Sequence, residues 1–294
     1  MASSLSPDVV AAVDDLEVVA RLIVEGMRSG HHRSPFHGFS NEFSQYRAYR
    51  PGDDLKYLDW KVLARTDRLY TRQFRETTNM SAMLCLDCSA SMAYPETGIS
   101  KFRYAQIITA ALAHLIITQG DAVGVMTMQR GRLVYVPARG GRSHLRTVLA
   151  LLDRLEPDGT WDTPTVVTRA ADLLKRRGLV CVVSDLYDTP DATAVELRRV
   201  SRRGHDVALL QVMSNAEVEW PFSTDLDVED LETGAHVLVD PKAARAGYRD
   251  GIAAFLERWR AGARRDGFDY ALMMTGEAPS EALRGYLLRR GATR

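Results

Sequence analysis

Cysteine is scarce: the chain has 3 in 294 residues, an odd number, and two of them sit in or beside one apolar run. That usage excludes a disulfide framework and fits a reducing compartment, so the cytoplasm is the expected location. Net charge is absent as well, with 38 Lys plus Arg against 38 Asp plus Glu. Long-range attraction to nucleic acid or anionic membrane is therefore excluded, and any binding must come from a local patch. Long apolar runs are missing. The longest, from Ile107 to Ile117, is interrupted by His114 and too short to span a bilayer. The first residues carry acidic side chains and no basic stretch ahead of an apolar one, so no signal peptide is expected. Enzyme signatures are missing too: there is no G-x-x-x-x-G-K-[ST], no G-x-G-x-x-G after a strand, no G-x-S-x-G and no H-E-x-x-H.

What is present is a regular alternation. Apolar residues at helical spacing (Val10, Val13, Leu16, Val19, Ala20, Ile23, Val24) predict an amphipathic helix over residues 8–28. Residues 29–50 hold Gly30, Pro35, Gly38 and the histidines His31, His32 and His37, read as a polar loop rather than a metal cluster. From Tyr46 to Thr78 charged and aromatic residues alternate without a helical period, which predicts irregular structure and exposed strands. Asp53, Asp54, Asp59, Asp67 and Glu76 are interleaved with the basic residues there, so local charge pairing is expected in place of nucleic-acid binding. Trp60, beside Asp59, reads as a packing anchor.

From Ser81 onward, short apolar runs alternate with helical periods over about 190 residues, the pattern of a mostly parallel sheet with helices on both faces. Within it, DAVGVMTMQ and RLVYVP are two strands joined near Arg130 and Gly131. The helix TVVTRAADLLKRRG is closed by Gly178, and residues 225–240 form a hairpin turning at Thr233 and Gly234. The expected division is 1–79 (helix and charged segment), 80–276 (an α/β doubly wound domain) and 277–294 (a C-terminal helix packed on it).

Met83 to Met92, MLCLDCSASM, offers two chemistries. Cys85 and Cys88 form C-x-x-C. However, redox pairs of this kind sit at a helix N-terminus, and Cys85 falls inside the apolar strand, where a thiol is a small hydrophobe. Zinc would need two further ligands. Asp87, Ser89 and Ser91 form D-x-S-x-S at the strand's end, and Asp185 ends another strand, so both carboxylates reach the carboxyl edge where open α/β sheets bind ligands. Hard oxygens of this kind suit Mg²⁺ or Mn²⁺. Ser89 or Ser91 as a nucleophile would need a base within reach, and none is evident. A metal-dependent phosphoester hydrolase is the enzymatic alternative, and nucleic-acid binding by Arg47 to Arg75 is a weaker one.

Asp87-Cys-Ser89-Ala-Ser91-Met resembles the metal-ion-dependent adhesion site of von Willebrand factor A domains, over roughly residues 80–276. YRAYRPGDDLKYLDWKVLARTDRLYTRQF before it, with RRGLVCVVSDLYD and DLETG after it, resembles the bacterial domain-of-unknown-function 58 family. The resemblance implies a von Willebrand A-like fold and a metal held by Asp87, Ser89, Ser91, a threonine and Asp185. It also implies a non-enzymatic role with MoxR-type AAA+ ATPases in protein maturation or assembly, the metal receiving a partner's acidic residue. Thr160, after Gly159, is the expected threonine and Thr163 the alternative; an ungapped match to the following helix puts Trp161 there.

Overall fold

The apolar run at Ser81–Leu86 forms the strand on which the sheet is centred, β3. The computed structural model describes residues 6–7, 13, 15–28, 41–50, 58–76, 80–94, 98–187 and 190–292. The histidines at 31, 32 and 37 lie outside the described residues. Residues 36–80 form one compact unit, and residues 1–35 group with 81–294 in the other. The N-terminal helix therefore belongs with the sheet and not with a separate segment 1–79.

In that larger unit, α1 (Leu16–Arg28) buries Leu16, Val19, Ala20, Ile23, Val24 and Met27, one helical stripe. Asp15 caps it, its Oδ1 accepting from the amides of Glu17 and Val18. The stripe packs on α3 (Lys101–Thr118). Lying between the sheet and α1, α3 is buried on almost every side, which explains its lack of a polar face.

The sheet continues with β4 (Ala122–Gln129), β5 (Arg132–Arg139), β6 (Leu179–Ser184), β7 (Asp206–Met213) and β10 (Asp269–Met274), in the order β10-β7-β6-β3-β4-β5. All neighbours pair in parallel except β5, an antiparallel edge strand. β6 is buried at every residue because helices cover both its faces, whereas β5 alternates in exposure. The β4–β5 turn is at Arg130 and Gly131, with φ of 51° and 70°, the left-handed pair that a two-residue hairpin needs. The helix α4 (Arg142–Asp153) packs on α3, and α5 (Thr163–Leu173) and α6 (Pro190–Arg202) cover the other face with α8 (Pro241–Asp266). Between β7 and α8 lie the short α7 (Asn215–Glu219) and a hairpin of β8 (Leu226–Glu229) with β9 (His236–Val239), turning at Gly234, φ 69°. The last helix, α9 (Pro279–Ala292), packs on β10, α1 and α3.

Gly178 does not close α5. The helix ends at Leu173, and Gly178 instead stands where a side chain would collide with the carbonyl oxygen of Ser81, beside the β3–β6 pairing. Gly178→Ala is expected to cost about 1–3 kcal/mol by overpacking, read as a lower urea midpoint with an unchanged slope. Wild-type stability in this variant would show that the strands can part there without cost.

The unit of residues 36–80 holds β1 (Asn41–Ala48) and β2 (Tyr70–Glu76), antiparallel, with α2 (Trp60–Thr66) between them. Trp60 is not a packing anchor: it is 63% exposed, and its neighbour Asp59 is the buried residue, capping α2 through the amide of Val62.

Candidate functional site

The chain reverses direction in the sheet between β3 and β6. β3 leads through α3 to β4 on one side, and α5 leads to β6 on the other. Asp87 and Asp185 follow these two strands directly, so the switch point carries two carboxylates, each 1% exposed. Asp87 Oδ1 accepts from the Ser89 amide at 2.7 Å, and its Oδ2 accepts from the Ser184 hydroxyl at 2.5 Å. Ser89 Oγ and Ser91 Oγ are 3.0 Å apart, and the Ser91 hydroxyl donates to Asp185 Oδ2 at 2.9 Å. Asp185 Oδ1 accepts the Tyr187 amide at 3.2 Å. Asp87, Ser89, Ser91 and Asp185 thus form one hydrogen-bonded chain. Burial, with the charge of Asp185 adding to it, pushes the Asp87 carboxyl up to about 7, while the hydrogen bonds from Ser184 and Ser89 oppose the rise.

Thr160 is exposed, and Thr163 is fully buried as the first residue of α5. The loop that leads into them is docked on the D-x-S-x-S loop, the Ala90 amide donating to Gly159 O at 2.9 Å and the Asp158 amide to Cys88 O at 2.8 Å. Its anchor is Trp161, 2% exposed and packed in the core with Cys85, Met126 and Val166.

Two site residues escaped the sequence reading. Lys101, the first residue of α3 and 1% exposed, donates to Asp185 Oδ2 at 2.9 Å and to Glu217 Oε1 at 2.6 Å. Its ammonium lies 5.1 Å from the centre of the Tyr187 ring. Burial pulls the Lys101 pKa down, but Asp185 and Glu217 outweigh it and hold the group above its ordinary value, hence protonated. Glu217 is fixed by a capping box at the start of α7, its Oε2 accepting the Ser214 amide while its own amide donates to Ser214 Oγ. Both signals were in the sequence. A lysine in the first turn of a helix opposes the macrodipole and needs a nearby anion, and Ser214-Asn-Ala-Glu217 is a capping-box pattern directly after a strand.

Fitting a divalent ion here meets one obstacle. Each of the four carboxylate oxygens of Asp87 and Asp185 already accepts a protein donor, and a fixed positive charge lies 2.9 Å from Asp185 Oδ2. An ion about 2.1 Å from the same oxygen would face that ammonium directly. The donor set present does not fit a closed divalent site. The cysteines take no part: Cys85, Cys88 and Cys181 are free and buried, and burial raises all three, Cys88 and Cys181 to about 12.

The family model described as "Protein of unknown function DUF58" matches residues 45–257. The chain belongs to the DUF58 family. Among similar chains, an uncharacterized protein of Mycobacterium bovis, Mb1516, is 29% identical over 232 residues, covering 78% of this chain and 72% of that one. Uncharacterized protein YeaD of Bacillus subtilis is 28% identical over 117 residues, 40% of this chain and 27% of its own. The crystal structure of an aerotolerance-related membrane protein from Bacteroides fragilis, with multiple mutations to serines, superposes with a TM-score of 0.50 at 16% identity, covering 73% of this DUF58 chain and all of that one. The SpRpn10 VWA domain gives 0.44 at 10% identity over 70% of this chain and 94% of its own. The DUF58 fold seen here is von Willebrand A-like: a mostly parallel sheet between helices, with its polar loops at the carboxyl edge. Among the described residues no helix is long and apolar enough to cross a membrane.

Proposed function

We propose that this DUF58 chain is a non-enzymatic protein-interaction module whose contact surface is the carboxyl edge of the sheet, and that it works with a MoxR-type AAA+ ATPase in protein maturation or complex assembly. One observation carries the reading. The hydrogen-bonded cluster at the switch point opens into a groove of about 540 Å³, walled by Tyr94, Trp220, Phe222, Leu231 and Tyr248. Aromatic walls beside a fixed polar group are the composition of a protein contact site. The chemistry of hydrolysis lacks support in the same place. Among the described residues, the side chains hydrogen-bonded to Ser89 or Ser91 are each other, Asp87 and Asp185, and Lys101, held protonated, cannot act as a base.

Pull-down of the MoxR-type ATPase from the same genome by the full chain tests the reading. Leu231 is 41% exposed, so Leu231→Asp leaves the core intact and is expected to weaken capture at least tenfold. Arg199→Ala, on the exposed face of α6, is expected to change nothing. Capture indifferent to Leu231→Asp would sink the groove as the contact, and no capture at all would sink the partner. The family resemblance supplies a rival form of the contact, in which Mg²⁺ or Mn²⁺ held by Asp87, Ser89, Ser91, Thr160 or Thr163, and Asp185 receives an acidic side chain of the partner. That form requires capture to fail in EDTA and in Asp87→Ala, whereas a direct contact survives EDTA.

A further inference from the structure

We infer that the chain carries its own cation at this site: the ammonium of Lys101 stands in the place of a divalent ion, and the polar cluster is complete without metal. Lys101 is anchored at the first turn of α3, where Ser100 caps the helix through the Arg103 amide, and its whole side chain is buried. The positive end of the helix repels an ammonium there, so the position is tolerable only because anions face it. Asp185, just after β6, and Glu217, in α7, do so at 2.9 and 2.6 Å, and Tyr187 offers its ring face.

The Asp185 oxygen that takes Lys101 also takes the Ser91 hydroxyl, which bonds to Ser89 in turn. Lysine therefore does for the D-x-S-x-S loop what an ion would do. It neutralises the carboxylate at the switch point and sets the direction of the serine hydroxyls. A charge built into the chain cannot dissociate, so the surface is permanently formed and does not respond to the metal content of its surroundings. This follows from the cluster's own geometry, and its test needs no partner, so it stands or falls separately from the proposed ATPase contact.

The experiment is titration of the full chain with Mn²⁺, following free ion by electron paramagnetic resonance and the melting temperature in parallel. Wild type is expected to show no saturable site and no shift in Tm. Lys101→Met opens the position, and is expected to bind one Mn²⁺ at least tenfold more tightly than wild type and to gain Tm from it. Adding Asp185→Asn to Lys101→Met is expected to remove that gain. Should Lys101→Met fail to fold, Lys101→Gln keeps N–H donors while removing the charge and serves in its place. One stoichiometric Mn²⁺ on wild type would overturn the inference. A folded Lys101 variant that binds no better than wild type would overturn it too, because the ammonium would then not be standing in for an ion.

Discussion

Lys101→Ala is expected to lose about 3–5 kcal/mol of stability, the range for removing one partner of a buried ion pair. The cause is what remains. Asp185, 1% exposed, would be left with only the Ser91 hydroxyl and the Tyr187 amide, and Glu217 Oε1 would lose its ammonium. Replacing both members of the pair removes the orphaned charge, so Lys101→Met with Asp185→Asn is expected to lose less than Lys101→Ala alone. Urea denaturation of wild type, both single variants and the double variant gives the coupling directly. A double variant as unstable as the two single losses added together would show that Lys101 and Asp185 contribute independently, and the ion pair would not be what holds the loops.

The sheet and its helices were legible because their causes are local and periodic. Short apolar runs ending at polar loops gave β3, β6 and β7, and the helical stripe that includes Leu16, Val19, Ala20, Ile23 and Val24 gave α1. The hairpin at Arg130 and Gly131 was legible for the same reason, since its turn residues announce the left-handed backbone they adopt. Asp87, Ser89, Ser91 and Asp185 came together as expected because the ends of neighbouring parallel strands must share an edge. Lys101 did not, because its role depends on Asp185 lying 84 residues away and on Glu217 lying 116 residues away, and spacing along the chain says nothing of either. Gly178 and Trp60 failed for the opposite reason. A glycine after a helical pattern and a tryptophan among charges each have a usual local meaning, and tertiary packing overrode it.

Trp161→Ala is expected to cost about 3–5 kcal/mol, as truncation of a large buried aromatic leaves a cavity that the core fills only partly. Trp161→Phe is expected to cost far less, under about 1.5 kcal/mol. The indole N–H has no hydrogen-bond partner among the described residues, so removing it offsets part of the lost area. The larger consequence is positional. The loop that resembled a threonine ligand loop is fixed by Trp161 from below and by Gly159 O and the Asp158 amide from above, both bonded to the D-x-S-x-S loop. Faster hydrogen exchange at the Ala90 and Asp158 amides in Trp161→Ala, with the β3 and β6 amides still protected, is the expected signature of a local release. Unchanged exchange at Ala90 would mean that the serine loop holds its shape through Asp87, Asp185 and Lys101 alone. Expected release at Ala90 instead makes the segment from Gly159 to Pro164 a scaffold for the serines, with Trp161 as its buried anchor.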